Sequence, residues 1–289
     1  LTTSKESLEK VSKFLIDPLA IKLTESIRWL KLDNISTDQN DLYPIAILGK
    51  GKPILLLHGF DSCFLEFRRL IPYLQNNFKL IIPDLYGFGF CPRPHDNNYG
   101  KKMIINHLEN LLKTLKTSKG VGVIGASMGG GIAIELARSL QVDINKLLLL
   151  SPAGLIGNPT PIPPPLDVIG ACFLKQNFVR DELCKKAFSN PKDVGPPEKQ
   201  IASIHVNVAG WKRSLAAFAR GGGIANCALP LPNQPMSVLW GQNDRILSEG
   251  LRKESTNILN CPCKELENCG HLPHIDQPEL VAKQWKTNF

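Results

Sequence analysis

The sequence predicts an α/β fold: a mostly parallel, twisted β-sheet flanked by helices, with a helical segment inserted late in the sheet. Three observations carry that prediction. Apolar runs such as Ile54-Leu55-Leu56-Leu57 and Leu147-Leu148-Leu149-Leu150 do not alternate in polarity, as expected of strands buried on both faces. Helical stretches at 65–74, 102–116 and 130–140 lie between several of these runs, the alternation that builds a parallel sheet with right-handed crossovers. Between Ala153 and Leu229 the rhythm breaks, and prolines, glycines and helical patterns replace the strands.

Taken in order, residues 1–26 read as a helical arm. Leu8, Val11 and Leu15 share one face, and Asp17-Pro18 places an N-cap before a proline at the first helical position. Leu19, Leu23 and Ile27 continue an apolar face. Such an amphipathic arm either docks on the core or touches a membrane surface, and docking is the favoured expectation. Two strands are expected at 29–32 and 42–48, joined by a polar loop at 33–41. Further strands are expected at 53–57, 78–83, 121–124 and 146–150, and then at 236–240 and 263–266. The core is thus assigned to 27–152 and 230–289, and the insertion to 153–229 as a helical cap. A stiff proline-rich linker, Asn158-Pro159-Thr160-Pro161-Ile162-Pro163-Pro164-Pro165, enters it, and Gly221-Gly222-Gly223 leaves it. Helices are expected within it at 166–175, 178–188 and 208–220, with Pro191 and Pro196-Pro197 as punctuation. Phe173, Phe178, Phe188, Trp211 and Phe218 supply apolar faces to pack on the core, some of them lining a cavity.

Composition narrows the function. The 289 residues are 43% apolar and contain no run long enough to span a membrane. No secretory signal is read at the N-terminus, and a cytoplasmic location is the expectation. The net charge of +8 comes from 34 basic residues scattered among 26 acidic ones. No basic stripe interleaved with aromatics is present, so nucleic acid is not an expected partner. The eight irregularly spaced cysteines read as reduced thiols. Cys261, Cys263 and Cys269, with His271 and His274, lack the usual spacing of metal ligands. Neither a metal nor a cofactor is expected.

Chemistry is concentrated at Val123-Ile124-Gly125-Ala126-Ser127-Met128-Gly129-Gly130-Gly131. This is a Gly-x-Ser-x-Gly sequence between an apolar run and a helix-forming run, the setting of a nucleophile elbow. Glycines flanking so sharp a turn avoid collision with the neighbouring strand and helix. On its own the motif is equally compatible with an ordinary glycine-rich turn, so partners are needed. Upstream, Leu57-His58-Gly59-Phe60-Asp61 follows a buried strand directly. The N–H groups of Phe60 and Met128 are candidate oxyanion donors, each typically worth about 2.7–4 kcal/mol to a transition state. His58 beside the glycine reads as a loop-holding residue rather than a base.

Downstream, Asp244 in Gly241-Gln242-Asn243-Asp244-Arg245-Ile246 lies just past a late strand, where strand-end loops face a ligand. Asp84, in Pro83-Asp84-Leu85-Tyr86-Gly87-Phe88-Gly89, competes by position but reads as a loop organiser. Of the six histidines, His58, His95, His107, His205, His271 and His274, only His271 follows the last strand behind a glycine. His274 is its rival. The order Ser127, Asp244, His271 gives nucleophile, acid and base.

Together these motifs resemble the α/β-hydrolase superfamily across 27–153 and 229–289. The pattern is similar to capped serine hydrolases that include esterases, lipases and carbon–carbon bond hydrolases, and to uncharacterised hydrolases of cyanobacterial type. The serine argues against the branches that place an aspartate at the elbow. The resemblance implies hydrolysis of a small-molecule ester, thioester or acyl substrate through an acyl-enzyme. Carbon–carbon cleavage of a diketone-type substrate is the nearest alternative; Arg180, Lys212, Arg213 and Arg220 of the insertion could bind its carboxylate, although surface solvation is the expected role of each. Acyl transfer, or a ligand receptor on the same fold, also remains open.

Overall fold

A computed structural model describes residues 2–33, 35, 38, 40–95 and 98–287. Eight strands form one sheet: β1 (Ile27–Leu30), β2 (Tyr43–Leu48), β3 (Lys52–Leu57), β4 (Phe78–Pro83), β5 (Val121–Ala126), β6 (Ile144–Leu150), β7 (Met236–Gly241) and β8 (Cys263–Leu266). Their spatial order is β1-β2-β4-β3-β5-β6-β7-β8. The β1–β2 and β2–β4 pairings are antiparallel, and every later pairing is parallel. The two faces of the sheet account for the unbroken apolar runs. Leu55, Leu57, Val123, Leu147 and Leu149 enter one core with the helices Lys101–Thr114 and Met128–Ala137. Ile54, Leu56, Ile124, Leu148 and Leu150 enter the other, with the N-terminal arm and the helix Pro278–Thr287.

Several element boundaries differ from expectation for local reasons. β1 begins at Ile27, two residues before the strand expected at 29–32, and the arm's second helix stops at Thr24. The polar loop expected at 33–41 lies partly outside the described residues. The helix expected at 65–74 divides into a 3-10 segment, Phe64–Arg69, and one α-turn, Ile71–Leu74. Pro72 has no N–H to donate back to the carbonyl of Arg68, so a continuous α-helix cannot pass through it.

The segment between β6 and β7 carries four helices of at least eight residues: Leu166–Leu174, Asn177–Ala187, Pro196–Ser203 and Trp211–Arg220. The third was expected as a break. Its two prolines occupy the first turn, where a missing N–H costs nothing, and the Glu198 carboxylate accepts the Gly195 N–H at 3.1 Å. Phe188, Trp211 and Phe218 are buried as expected, whereas Phe173 and Phe178 stand exposed.

The arm is docked. Leu8, Leu15, Ala20 and Leu23 are buried in the second core. The Asp17 side chain caps the second helix through the N–H groups of Leu19 and Ala20, and its other oxygen accepts from Arg68 Nε at 2.5 Å. Arg68 also donates to Glu198 of the insert at 3.2 Å, and Glu198 accepts from Arg69 at 2.6 Å. One buried guanidinium therefore joins arm, core and insert. Gln200 adds a second tie, accepting from the Ile16 N–H and donating to the Phe14 carbonyl. No helix among the described residues is long and apolar enough to cross a membrane.

Asp17→Asn keeps a capping oxygen but removes the charge facing Arg68. Urea unfolding should show a loss of about 1.5–3 kcal/mol, the range for a hydrogen bond to a charged group. Lys5→Ala, on the exposed first helix, serves as the near-neutral control.

Candidate active site

Ser127 follows β5 directly with φ 49° and ψ −118°, a conformation that costs a non-glycine residue about 1–3 kcal/mol. Three backbone hydrogen bonds hold it there. Its N–H donates to the Leu150 carbonyl at 2.9 Å, and its own carbonyl accepts from Gly130 at 2.8 Å and Ala153 at 2.9 Å. The flanking glycines are required by contact. A Cβ on Gly129 would lie 2.1 Å from the Leu57 carbonyl oxygen, and one on Gly125 would lie 2.4 Å from that of Gly129.

Asp244 and His271 meet at this serine. His271 Nε2 is 2.8 Å from Ser127 Oγ, and His271 Nδ1 is 2.8 Å from Asp244 Oδ2. The other oxygen of Asp244 accepts the N–H groups of Ile246 and Leu247 at 2.8 and 3.0 Å. Burial alone would raise the Asp244 pKa. His271 and the two N–H groups outweigh it and hold the carboxyl below its ordinary range. The loop carrying His271 is fixed from two sides. Asp276 accepts the Gly270 N–H at 2.8 Å, and the His271 N–H donates to the Ala187 carbonyl of the insert at 2.8 Å.

The loop after β3 lies against the serine, since a Cβ on Gly59 would sit 3.4 Å from Ser127 Cβ. Among the described residues no protein acceptor engages the N–H of Phe60 or of Met128. His58 secures this loop. Its Nδ1–H donates to the Gly59 carbonyl at 2.8 Å, and its Nε2 accepts the Leu85 N–H at 2.9 Å. Burial pulls its pKa down to about 4, so the ring stays neutral in that tautomer. Asp84 takes the N–H groups of Phe64 and Phe90, each at 2.6 Å. Burial pushes its pKa up to about 7 against those two bonds. His274 lies away from Ser127, with its Nε2 3.0 Å from the buried carboxylate of Glu66, which also accepts the Gly59 N–H. Cys261 and Cys263 touch each other, but among the described residues no group of three or more metal-capable side chains converges.

One residue of the site was not anticipated. Asp61, at φ 47°, is buried beneath the insert and accepts three side-chain donors from it. These are Arg180 Nη1 at 2.6 Å, His205 Nε2 at 3.0 Å and Trp211 Nε1 at 2.8 Å. Burial would raise its pKa, but His205 and Arg180 overcome this and hold it at about 2. The partners lie 119 to 150 residues downstream, so no local pattern announces them. The only local signal is a carboxylate two residues past Gly59 in the loop after β3. The cations expected to be free in the insert are largely committed. Arg180 serves Asp61, Arg220 pairs with Asp167 at 2.6 Å, and Arg213 donates to the Arg93 carbonyl at 2.5 Å. Of these four, Lys212 alone is exposed with no hydrogen-bond or ion-pair partner among the described residues. Beside the loop, the rings of Phe60, Phe88 and Phe218 form a three-way contact, with centroids 5.2 to 5.8 Å apart.

Comparison with known proteins agrees with this architecture. The alpha/beta hydrolase family matches residues 54–284. Lipase 1 of Psychrobacter immobilis is 36% identical, over 82% of this chain and 76% of its own. The 2-hydroxy-6-oxo-2,4-heptadienoate hydrolase of Pseudomonas putida is 31% identical, over 80% of this chain and 86% of its own. A meta-cleavage product hydrolase from Pseudomonas fluorescens superposes with a TM-score of 0.72 at 19% identity, covering 86% of this chain and 96% of its own.

The Asp61 cluster has a defined acid signature. A carboxyl held at about 2 when folded, against 3.8 otherwise, contributes stability that is present above the unfolded value and lost as pH falls toward the folded one. Asp61→Asn should therefore be less stable than wild type by a constant margin above about pH 5, and that margin should narrow below about pH 4. Urea midpoints across this range check it.

Proposed function

The chain belongs to the alpha/beta hydrolase family, and on that footing we propose that it is a serine hydrolase cleaving a carboxylic ester or thioester through an acyl-enzyme. The observation that carries this reading is the continuous chain of 2.8 Å contacts from Asp244 through His271 to Ser127. In the proposed reaction, neutral His271 takes the Ser127 proton on Nε2 as Oγ attacks the carbonyl carbon. Its Nδ1–H donates to Asp244, which fixes the tautomer and stabilises the imidazolium as it forms. The oxyanion is received by the unengaged N–H groups of Phe60 and Met128. His271 then protonates the leaving group and afterwards activates water against the acyl-enzyme.

The insert is proposed to act as a cap that selects the substrate. The aromatic contact of Phe60, Phe88 and Phe218 offers an apolar wall next to the proposed oxyanion donors, suited to an acyl chain. Similarity to a carbon–carbon bond hydrolase keeps that chemistry as a second reading. Commitment of Arg180, Arg213 and Arg220 to internal partners supports the ester instead, because a dienoate substrate needs a cation for its carboxylate.

The tests are direct. Ser127 should be labelled by a fluorophosphonate probe, and Ser127→Ala should lower turnover of a p-nitrophenyl ester by about four to six orders of magnitude. Asp244→Asn should cost about four orders. Faster loss of absorbance from a ring-fission product than release of p-nitrophenol would favour the second reading. An unlabelled Ser127 with no turnover would favour a receptor. Phe218→Ala should shift preference toward longer acyl chains, read as the ratio of kcat/KM across an ester series.

A further inference from the structure

The helix Leu166–Leu174 of the insert is oriented opposite to an ordinary surface helix. Its one charged residue, Asp167, is buried and paired with Arg220, and Ala171 is buried beside it. Leu166, Ile169 and Phe173, spaced to share one face, are instead exposed to 56%, 57% and 55%. Phe178, at the start of the next helix, is 64% exposed and meets Phe173 edge-on at 6.1 Å. A Cβ on Gly170, on the same face, would meet nothing within 4 Å. An apolar patch of this kind on an outer face marks an interaction site.

Charge beside the patch identifies the occupant. At the C-terminal end of the helix a cavity of about 410 Å³ is lined by Lys175, Lys212 and Arg213 among other residues, none of them acidic. The insert carries nine basic residues against five acidic ones over 153–229. Its exposed acids are partly neutralised, with Asp181 held by Lys199 and Glu182 by Lys185. Lys175 and Lys212 have no acidic partner among the described residues. A second copy of the chain is a poor occupant, because a two-fold contact through this patch would set the same cations against each other. An apolar helix face bordered by cations matches an anionic bilayer, which offers acyl chains beneath a layer of phosphate headgroups.

We propose that the helix Leu166–Leu174 docks this protein on an anionic lipid surface. Leu166, Ile169, Phe173 and Phe178 enter the acyl boundary, and Lys175 and Lys212 receive phosphate headgroups. The ester reading then extends to acyl substrates held in a membrane. That extension rests on the proposed serine hydrolase activity, but the docking does not.

The experiment is vesicle co-sedimentation of the full chain as its Ser127→Ala variant, so that no lipid is turned over. Vesicles of phosphatidylcholine alone are compared with an equal mixture of phosphatidylcholine and phosphatidylglycerol. Binding is expected to the mixed vesicles, weakening as salt rises. Lys212→Gln should weaken it about fivefold. Phe173→Ser combined with Phe178→Ser should abolish it while the melting temperature is retained. No binding to the mixed vesicles, or equal binding by the double phenylalanine variant, overturns the proposal. So does a wild-type dimer in light scattering that the double variant converts to monomer, because the patch then belongs to a second copy. Wild-type hydrolysis of a soluble short-chain ester is measured in parallel. Its absence with vesicle binding intact removes the esterase reading alone, and its presence without vesicle binding removes the docking alone.

Discussion

The site depends on how closely the end of β3 approaches the helix that begins at Met128. A Cβ at Gly129 would fall well within the van der Waals contact distance of the Leu57 and His58 carbonyl oxygens, so backbone meets backbone with nothing between. That contact sets the loop from His58 to Asp61 against the turn at Ser127. It also holds Ser127 in a backbone conformation that an isolated peptide would leave. The sheet contributes the other half. The Leu150 carbonyl of β6 accepts the Ser127 N–H, and the Leu239 carbonyl of β7 accepts the Ser151 N–H. Consecutive strand ends are thereby tied at one level, and the Asp244 and His271 loops emerge from the neighbouring strands at that level.

Around this apolar and backbone framework, two buried ionic joints fasten the outlying segments. Arg68 holds the arm and the insert to the segment after β3, and Asp61 holds the insert to the loop beside Ser127. Buried charges are costly unless every lone pair and proton is used. Asp61 is compensated by three side-chain donors directed at its two oxygens. Such joints add little net stability compared with apolar packing. They do restrict how the insert can sit, because a shifted insert leaves a charge unpaired.

Much of this was legible in the sequence wherever the determining chemistry is local. The bounds of β4 and β8 agree with the apolar runs at 78–83 and 263–266, and the parallel order follows from strands alternating with helices. Ser127, Asp244 and His271 stand out in the sequence because each sits in a short motif beside a strand end, and the structure brings the three side chains together. Less legible was anything set by distant partners. Arg180 read as a solvated cation because nothing nearby in sequence points to Asp61. Pro196-Pro197 read as a break because proline ends a helix interior but is tolerated in a first turn. Phe173 and Phe178 read as packing residues because composition reports that a helix is apolar without reporting which way it faces.

The Asp61 joint has a consequence for how this fold diversifies. All three side-chain donors to that carboxylate come from the segment between β6 and β7. That segment is therefore not a detachable module. A chimera given a foreign insert would inherit an orphaned anion one residue from Phe60 unless the graft also brought equivalents of Arg180, His205 and Trp211. Changes of substrate are channelled toward substitution within the existing insert, where helices can be resurfaced while their inner anchor stays in place.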